Sequence, residues 1–177
     1  MTDSSDQTRR IGISGHQGLA PDVIAYVTQE IKSRLAAIPG VTGISSLAEG
    51  ADQLFAKCVL DVGGSLEVIV PSKDYRSTFT DQAARREYDH LLTLASRVTT
   101  LSFPAPSEKA FLAAGKAIVD SCEVLFAVCD GQPARGSGGT ADIVEYAQQL
   151  GRDTVVIWPA GVLRQALPES DRQEERR

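Results

Sequence analysis

The feature that most constrains the fold is a regular alternation of strand-like and helix-like segments. Residues 123–129 (EVLFAVC) form a nearly uninterrupted apolar run, which is typical of a central parallel strand covered on both faces. Segments with apolar residues at helical spacing, such as Pro21–Ile38, separate the short apolar runs. Alternation of this kind predicts a doubly wound α/β domain with a mostly parallel sheet.

The pattern predicts six strands and five helices. The predicted strands are Arg10–Ser14, Val41–Leu47, Leu66–Val70, Val98–Leu101, Glu123–Cys129 and Thr154–Trp158. The predicted helices are Pro21–Ile38, Gly50–Val62, Asp81–Ser96, Ser107–Ser121 and Gly139–Leu150. A chain of 177 residues suits one domain. We expect this domain to span residues 9–162, with polar, flexible tails at 1–8 and 163–177.

Composition narrows the class of partner. The net charge is −5 and the basic residues are scattered, so a nucleic-acid polymer is not the expected partner. No apolar run approaches the roughly 20 residues of a membrane helix, and no secretory signal is evident. Cys58, Cys122 and Cys129 lack metal-ligand spacing and are expected to be buried free thiols in a cytoplasmic protein. Neither a metal site nor a resident cofactor is predicted.

The first candidate site is the turn after the first strand. Gly12, Gly15 and Gly18 have the spacing G-x-x-G-x-x-G, which is neither a dinucleotide fingerprint nor a Walker sequence. Glycines let backbone N–H groups approach an anion closely, and Ser14 and His16 add side-chain donors. Because ligands of open α/β sheets bind at the carboxyl ends of the strands, this turn is predicted to hold phosphate rather than to be only a tight turn.

Two more turns have similar chemistry. Gly50 opens the second helix, where Glu49 or Asp52 would accept hydrogen bonds from ribose hydroxyls or, in the case of Asp52, favour the helix dipole. The turn after the apolar strand begins at Asp130 and leads into the last helix; a glycine-rich helix N-terminus of this kind is a ready anion site. Its predicted phosphate ligands are Arg135, Gly136, Ser137, Gly138, Gly139 and Thr140.

A fourth loop follows the third strand and admits two interpretations. Tyr75 or Phe79 would stack on a base while Lys73 or Arg76 meets a phosphate. Alternatively, the aromatic residues anchor a surface loop, and this interpretation is at least as well supported by the sequence.

Four short segments together resemble the SLOG superfamily. They are Gly12–His16, Leu47–Asp52, Val70–Phe79 and Gly138–Asp142. This Rossmann-like group includes the "lonely guy" phosphoribohydrolases and the DNA-processing protein. The resemblance implies a Rossmann-like three-layer sandwich and a nucleotide-type ligand at these turns, either sensed or hydrolysed. It also implies a homodimer paired through helices beside the site.

The hydrolase branch of that superfamily has a Pro-Gly-Gly-x-Gly-Thr-x-x-Glu turn and an upstream Arg-Lys pair. Matching Gly139-Thr140 to its Gly-Thr places Arg135 at the proline, Ser137 at the second glycine and Ile143 at the catalytic glutamate. Gly115-Lys116 corresponds to the Arg-Lys pair. The first and last glycines of this turn and the threonine are kept, whereas the glutamate and the arginine are not.

The preferred hypothesis is therefore a domain that binds a nucleotide or nucleotide-derived ligand, as a sensor or carrier. The alternative is an enzyme that cleaves the N-glycosidic bond of nucleoside 5′-monophosphates, which needs an acid near the leaving base. Candidates for this carboxylate are Glu49, Asp130, Asp142 and Glu145. Binding of single-stranded DNA is the third hypothesis, and the acidic balance disfavours it.

Overall fold

The computed structural model describes residues 8–133 and 139–164. All six strands of its single sheet run parallel, in the order β4-β3-β2-β1-β5-β6. The strands are β1 (Arg10–Gly15), β2 (Thr42–Ser45), β3 (Ser65–Ser72), β4 (Arg97–Phe103), β5 (Val124–Val128) and β6 (Asp153–Val156). The helices are α1 (Pro21–Ala36), α2 (Ala51–Asp61), α3 (Gln82–Leu94), α4 (Glu108–Ser121) and α5 (Thr140–Gln149). The predicted α/β sandwich is confirmed.

The sheet is covered on both faces. Helices α1, α2 and α3 pack on one face, and α4 and α5 pack on the other. Residues of β5 alternate between these layers, since Phe126 belongs to the cluster beneath α1 and α2 while Leu125 contacts the cluster beneath α4 and α5. The apolar composition of this strand is thereby explained. Strand order reverses between β1 and β5, so the crevice at their carboxyl ends is the topological switch point.

Two local details refine the predictions. The helical spacing of apolar residues in 21–38 includes Ile24, but the buried stripe of α1 runs through Val23, Val27 and Ile31, and Ile24 is 41% exposed. Strand β3 does not stop before Pro71 but continues to Ser72. A register shift against β4 between Val70 and Ser72 accommodates the proline, which has no N–H group to donate.

The predictions about cysteines and membrane helices can be compared with the structure. The three cysteines are buried and free, as predicted. Within residues 8–133 and 139–164, no helix is both long enough and apolar enough to cross a bilayer.

Candidate functional site

The turns after β1 and β2 meet the end of β5 at the switch point. The backbone N–H of His16 donates to the carbonyl of Val128 at 2.9 Å. The carbonyl of His16 in turn accepts from the N–H of Ala51, the first residue of α2, at 3.2 Å. Main-chain hydrogen bonds thus join the first two predicted turns to β5. The joined segments form one side of the crevice.

Close packing explains three of the predicted glycines. A Cβ at Gly15 would collide with the Cβ of Ala51 and lie 2.8 Å from that of Val128. Gly12 lies inside β1 beneath α4, where a Cβ would stand 2.6 Å from Cγ2 of Ile118. Gly50 has φ +90°, and a Cβ there would collide with the backbone of Gln17. Each position therefore requires glycine whether or not a ligand binds nearby.

Gly18 and Ser14 occupy the rest of the first turn. Gly18 is exposed, and no atom of residues 8–133 and 139–164 lies within 4 Å of a Cβ built on it. Ser14 is partly buried within β1, where it pairs with Ala127 of β5. Helix α1 begins only at Pro21, which has no N–H group, and carries Asp22 in its first turn. The N-terminus of α1 is consequently a poor anion site.

His16 is buried between a carboxylate and an aromatic ring. Its Nε2 lies 3.2 Å from Oδ1 of Asp130 and 3.3 Å from the backbone N of Asp130. One ring nitrogen cannot both donate to the carboxylate and accept from the amide, so the tautomer selects one of these bonds. The ring of Trp158 meets the imidazole edge-on, with centroids 5.5 Å apart. The side chain of His16 is thus directed to the end of β5.

Asp130 joins this histidine to two other segments. Its carboxylate accepts from the backbone N–H of Gln132 at 3.1 Å and from that of Arg164 at 2.9 Å. Burial opposes its ionisation, but the hydrogen bonds from Arg164, Gln132 and His16 outweigh this effect and lower its pKa. With its side chain only 3% exposed, this ionised group is engaged in holding loops together.

Asp52 has a comparable role in the β2–α2 loop. It is 6% exposed, and its Oδ2 accepts from the hydroxyl of Ser45 at 3.3 Å and from the N–H of Ser46 at 3.2 Å. Burial raises its pKa to about 7, against the opposing effect of hydrogen bonds from Ser46, Ser45 and Ala48. Glu49, by contrast, is exposed. Of these two carboxylates, Glu49 is the one that solvent reaches.

The N-terminus of α5 faces the other side of the switch point. Gly139 is the N-cap residue, Thr140 is 8% exposed, and the N–H groups of Thr140 and Ala141 have no acceptor within the helix. Arg135, Gly136, Ser137 and Gly138 lie outside the described residues. Of the candidate carboxylates on α5, Asp142 is partly buried, whereas Glu145 is exposed and accepts from Gln149 at 3.3 Å.

The two positions where the hydrolase pattern has its catalytic glutamate and its arginine contact each other. A Cβ on Gly115 of α4 would collide with Cδ1 of Ile143 and lie 2.7 Å from its Cγ1. Ile143 is 2% exposed and belongs to the apolar cluster beneath α4 and α5. The isoleucine side chain therefore packs directly against the glycine that stands in place of the arginine.

The fourth loop is anchored by its aromatic residues. Tyr75 and Phe79 are 5% and 4% exposed, and each ring packs against that of Tyr88. Arg76 pairs with Asp89, Nη2 to Oδ2, at 2.7 Å. The base-stacking interpretation is therefore wrong, because hydrophobic packing has already buried the rings; Lys73 is exposed.

Sequence reasoning did not identify Ser72 at the end of β3. Its hydroxyl is fully buried and has no hydrogen-bond partner among the residues that the structure describes. One serine after a proline carries no sequence signal for this. Residues 8–133 and 139–164 contain no group of three or more His, Cys, Asp or Glu side chains arranged to hold a metal ion.

No protein-family model matches the chain, and no curated protein matches it in sequence. Solved structures do match. DNA processing protein A from Streptococcus pneumoniae has a TM-score of 0.63 at 19% identity, over 84% of this chain and 50% of that one. This chain thus spans half the length of that protein.

Two other structures extend the comparison. DNA processing protein A from Helicobacter pylori, described for its single-stranded DNA binding mode, has a TM-score of 0.61 at 20% identity, over 94% of this chain and 70% of that one. The molybdenum cofactor binding protein of Rippkaea orientalis has a TM-score of 0.57 at 17% identity, over 86% of this chain and 77% of that one. At such identities the likeness concerns the fold.

Proposed function

Since the chain has the SLOG-type Rossmann-like fold, we propose that it binds a nucleotide or nucleotide-derived ligand at the switch point, as a sensor or carrier. The phosphate lies at the N-terminus of α5, where Gly139 and Thr140 hold it. The joined turns after β1 and β2 form the opposite wall, and Glu49 contacts the ribose from the rim. The proteins of similar fold are described as binding a molybdenum cofactor or single-stranded DNA, which supports a binding role without naming the ligand.

One observation carries this proposal: helix α5 begins at the reversal of strand order, directly beside β1 and β5. Unpaired amides and the helix dipole both favour an anion at a helix N-terminus. The N-termini of α1 and α2, which also begin at the switch point, are less suitable for an anion. Pro21 removes a donor from α1, and the first amide of α2 is bonded to His16. Phosphate binding is therefore assigned to α5.

The contact between Ile143 and Gly115 argues against N-glycosidic hydrolysis. An acid at position 143 would protonate or stabilise the reacting centre, and this position is occupied by a buried hydrocarbon side chain. The buried Asp130 side chain accepts from the N–H groups of Gln132 and Arg164 and contacts the His16 ring, and Glu145 is bonded to Gln149 on the exposed face of α5. The turnover test therefore changes the two other candidates, exposed Glu49 and partly buried Asp142.

The test combines binding and turnover on the same protein. Isothermal titration with AMP and other nucleoside phosphates is expected to give saturable binding, while chromatography of the same mixtures detects no free base. Steady release of base that stops in Glu49→Gln or Asp142→Asn would establish the enzyme instead. Salt-dependent binding of a labelled oligonucleotide that exceeds binding of mononucleotides would favour a nucleic-acid partner.

A pair of threonine variants localises the ligand. Thr140→Val removes a hydroxyl at the N-terminus of α5 and is expected to weaken AMP binding by roughly 3- to 10-fold, the effect of one hydrogen bond. Thr42→Val is the matched control, since Thr42 is similarly buried, at 6%, but begins β2 at the opposite edge of the sheet. If the two substitutions weakened AMP binding equally, the proposal that the ligand binds at the N-terminus of α5 would be wrong.

A further inference from the structure

The segment that follows β6 turns back along the carboxyl edge of the sheet. Ile157 still pairs with β5 through its backbone N–H, and its side chain is 2% exposed. A reverse turn comes next, closed by a hydrogen bond from the N–H of Val162 to the carbonyl of Pro159 at 3.4 Å. Gly161 has φ +75°, which the third residue of a type II turn requires. Residues 157–164 are called the strap below.

The strap packs together with the turn after β1. The indole N–H of Trp158 donates to the carbonyl of Val162 at 2.6 Å. Both side chains pack against the apolar cluster beneath α1 and α2, which Leu19 and Ala20 of the β1–α1 turn also contact. The indole ring meets the ring of His16 edge-on, with centroids 5.5 Å apart. The strap and the turn after β1 therefore share a hydrophobic core and a ring contact.

The end of the strap is bonded to the carboxylate that follows β5. The backbone N–H of Arg164 donates to Oδ2 of Asp130 at 2.9 Å, and this hydrogen bond is called the clasp below. Oδ1 of the same carboxylate lies 3.2 Å from Nε2 of His16 and accepts from the N–H of Gln132 at 3.1 Å. Asp130 thus joins the strap to the turn after β1 and to the start of the connection to α5.

Polar contacts, rather than burial, hold the last residues of the strap. Leu163, between the reverse turn and the clasp, is 72% exposed. The side chain of Asp130 is 3% exposed, so water competes little for the carboxylate that accepts the clasp. A hydrogen bond to an ionised acceptor is about twice as strong as a neutral one. Loss of the clasp is therefore expected to favour opening of the strap.

Both walls of the proposed ligand site meet at Asp130. On one side, His16 is hydrogen-bonded through its backbone to β5 and to Ala51 at the start of α2. On the other side, the connection from Asp130 leads to Gly139, the N-cap residue of α5. A closed strap fixes the carboxylate and the imidazole together, so it restrains the two walls relative to each other.

We propose that the strap controls the ligand site: while clasped to Asp130 it holds the two walls in the arrangement that binds the nucleotide-type ligand, and its release lowers the affinity. This role rests on the function proposed above. Asp130 acts in it as a positioning residue, through the strap and His16. A ligand that prefers the clasped form also stabilises that form, because coupling between the two equilibria is reciprocal.

Two N–H groups report whether the strap is closed. The amide of Arg164 forms the clasp, and the indole of Trp158, the one tryptophan in the sequence, is bonded to Val162. Their exchange with water can be measured by saturation transfer in ¹H–¹⁵N spectra at constant pH. Saturating AMP is expected to slow the exchange of both groups in the wild type by about threefold or more.

A matched pair of substitutions isolates the clasp. Arg164→Ala keeps the backbone N–H, whereas Arg164→Pro removes it. Compared with Arg164→Ala, Arg164→Pro is expected to speed exchange of the indole N–H roughly tenfold and to raise the dissociation constant of AMP roughly fivefold, the effect of losing one hydrogen bond to a charged group.

A second pair of variants separates the strap from simple electrostatics. Asp130→Asn weakens the acceptor of the clasp and should also speed indole exchange and weaken AMP binding. Loss of a negative charge would by itself favour an anionic ligand, so weaker binding is the opposite of the electrostatic expectation. Asp153→Asn removes an exposed carboxylate at the start of β6 and should leave both measurements unchanged.

The two proposals fail differently. If AMP binds without slowing either exchange, or binds equally to Arg164→Pro and Arg164→Ala, the strap does not control the site and this inference is wrong. If no nucleoside phosphate binds the wild type, the proposed function is wrong, and control of a nucleotide site by the strap is wrong with it. Indole exchange in the ligand-free Arg164 variants then still decides whether the clasp closes the strap.

Discussion

Two glycine-containing turns at the same edge of the sheet are built differently. Around Gly50 the protein satisfies its own polar groups, because Ala51 donates to His16 and Asp52 accepts from Ser45 and Ser46. At Gly139 the first amides of α5 have no acceptor within the helix. The comparison separates a glycine that close approach of two backbone segments requires from a glycine at a helix start to which the proposed function assigns the ligand.

The largest effect is expected where a positive φ and a steric collision coincide. Gly50→Ala should destabilise the fold by about 4 kcal/mol, because φ +90° is strained for alanine and the new Cβ meets the rigid backbone of Gln17. Gly18→Ala is the control: it has open space and no positive φ, so a change within about 0.5 kcal/mol is expected. Urea denaturation measures both, and similar values would refute the packing explanation.

The buried carboxylate in the same turn predicts a dependence of stability on pH. Because the folded pKa of Asp52, about 7, exceeds the ordinary 3.8, the folded state retains the proton after the unfolded chain has lost it. The free energy of unfolding should therefore fall as the pH rises from about 4 to 7, by up to about 4 kcal/mol from this residue. Asp52→Asn should reduce this slope, whereas Asp61→Asn should not; unfolding at several pH values measures the difference.

The packed pair on the α5 side should show coupling. Gly115→Ala is expected to cost about 2 kcal/mol, because its Cβ collides with the end of the Ile143 side chain. Combining it with Ile143→Val, which shortens that side chain, should recover part of the loss. A double-mutant cycle measures the coupling; strictly additive costs would mean that the two residues do not share this space.

The fold could be predicted from the sequence, because alternating strands and helices leave few other arrangements for an all-apolar run such as that of β5. The same pattern predicts a site at the carboxyl edge of the sheet, and the contacts of its turns with a ligand stay predictions. The sequence could not show why each turn position is glycine. The reason lies in contacts with residues distant in the chain, such as the packing of Ile118 against Gly12. The burial of Tyr75 likewise depends on Tyr88, which lies on another element.

A third glycine separates backbone strain from steric collision, the two effects that coincide at Gly50. Gly131, in the connection from β5 to α5, has φ +75°, but no atom of the described residues lies within 4 Å of a Cβ built on it. Gly131→Ala is therefore expected to cost mainly the conformational strain, about 1 kcal/mol, and Gly131→Asn less, since asparagine tolerates the left-handed region. Urea denaturation places the alanine variant between Gly18→Ala and Gly50→Ala if the contributions are separate. A cost equal to that of Gly50→Ala would mean that strain alone explains the first turn, and the collision with Gln17 would then be relieved by movement of the loop.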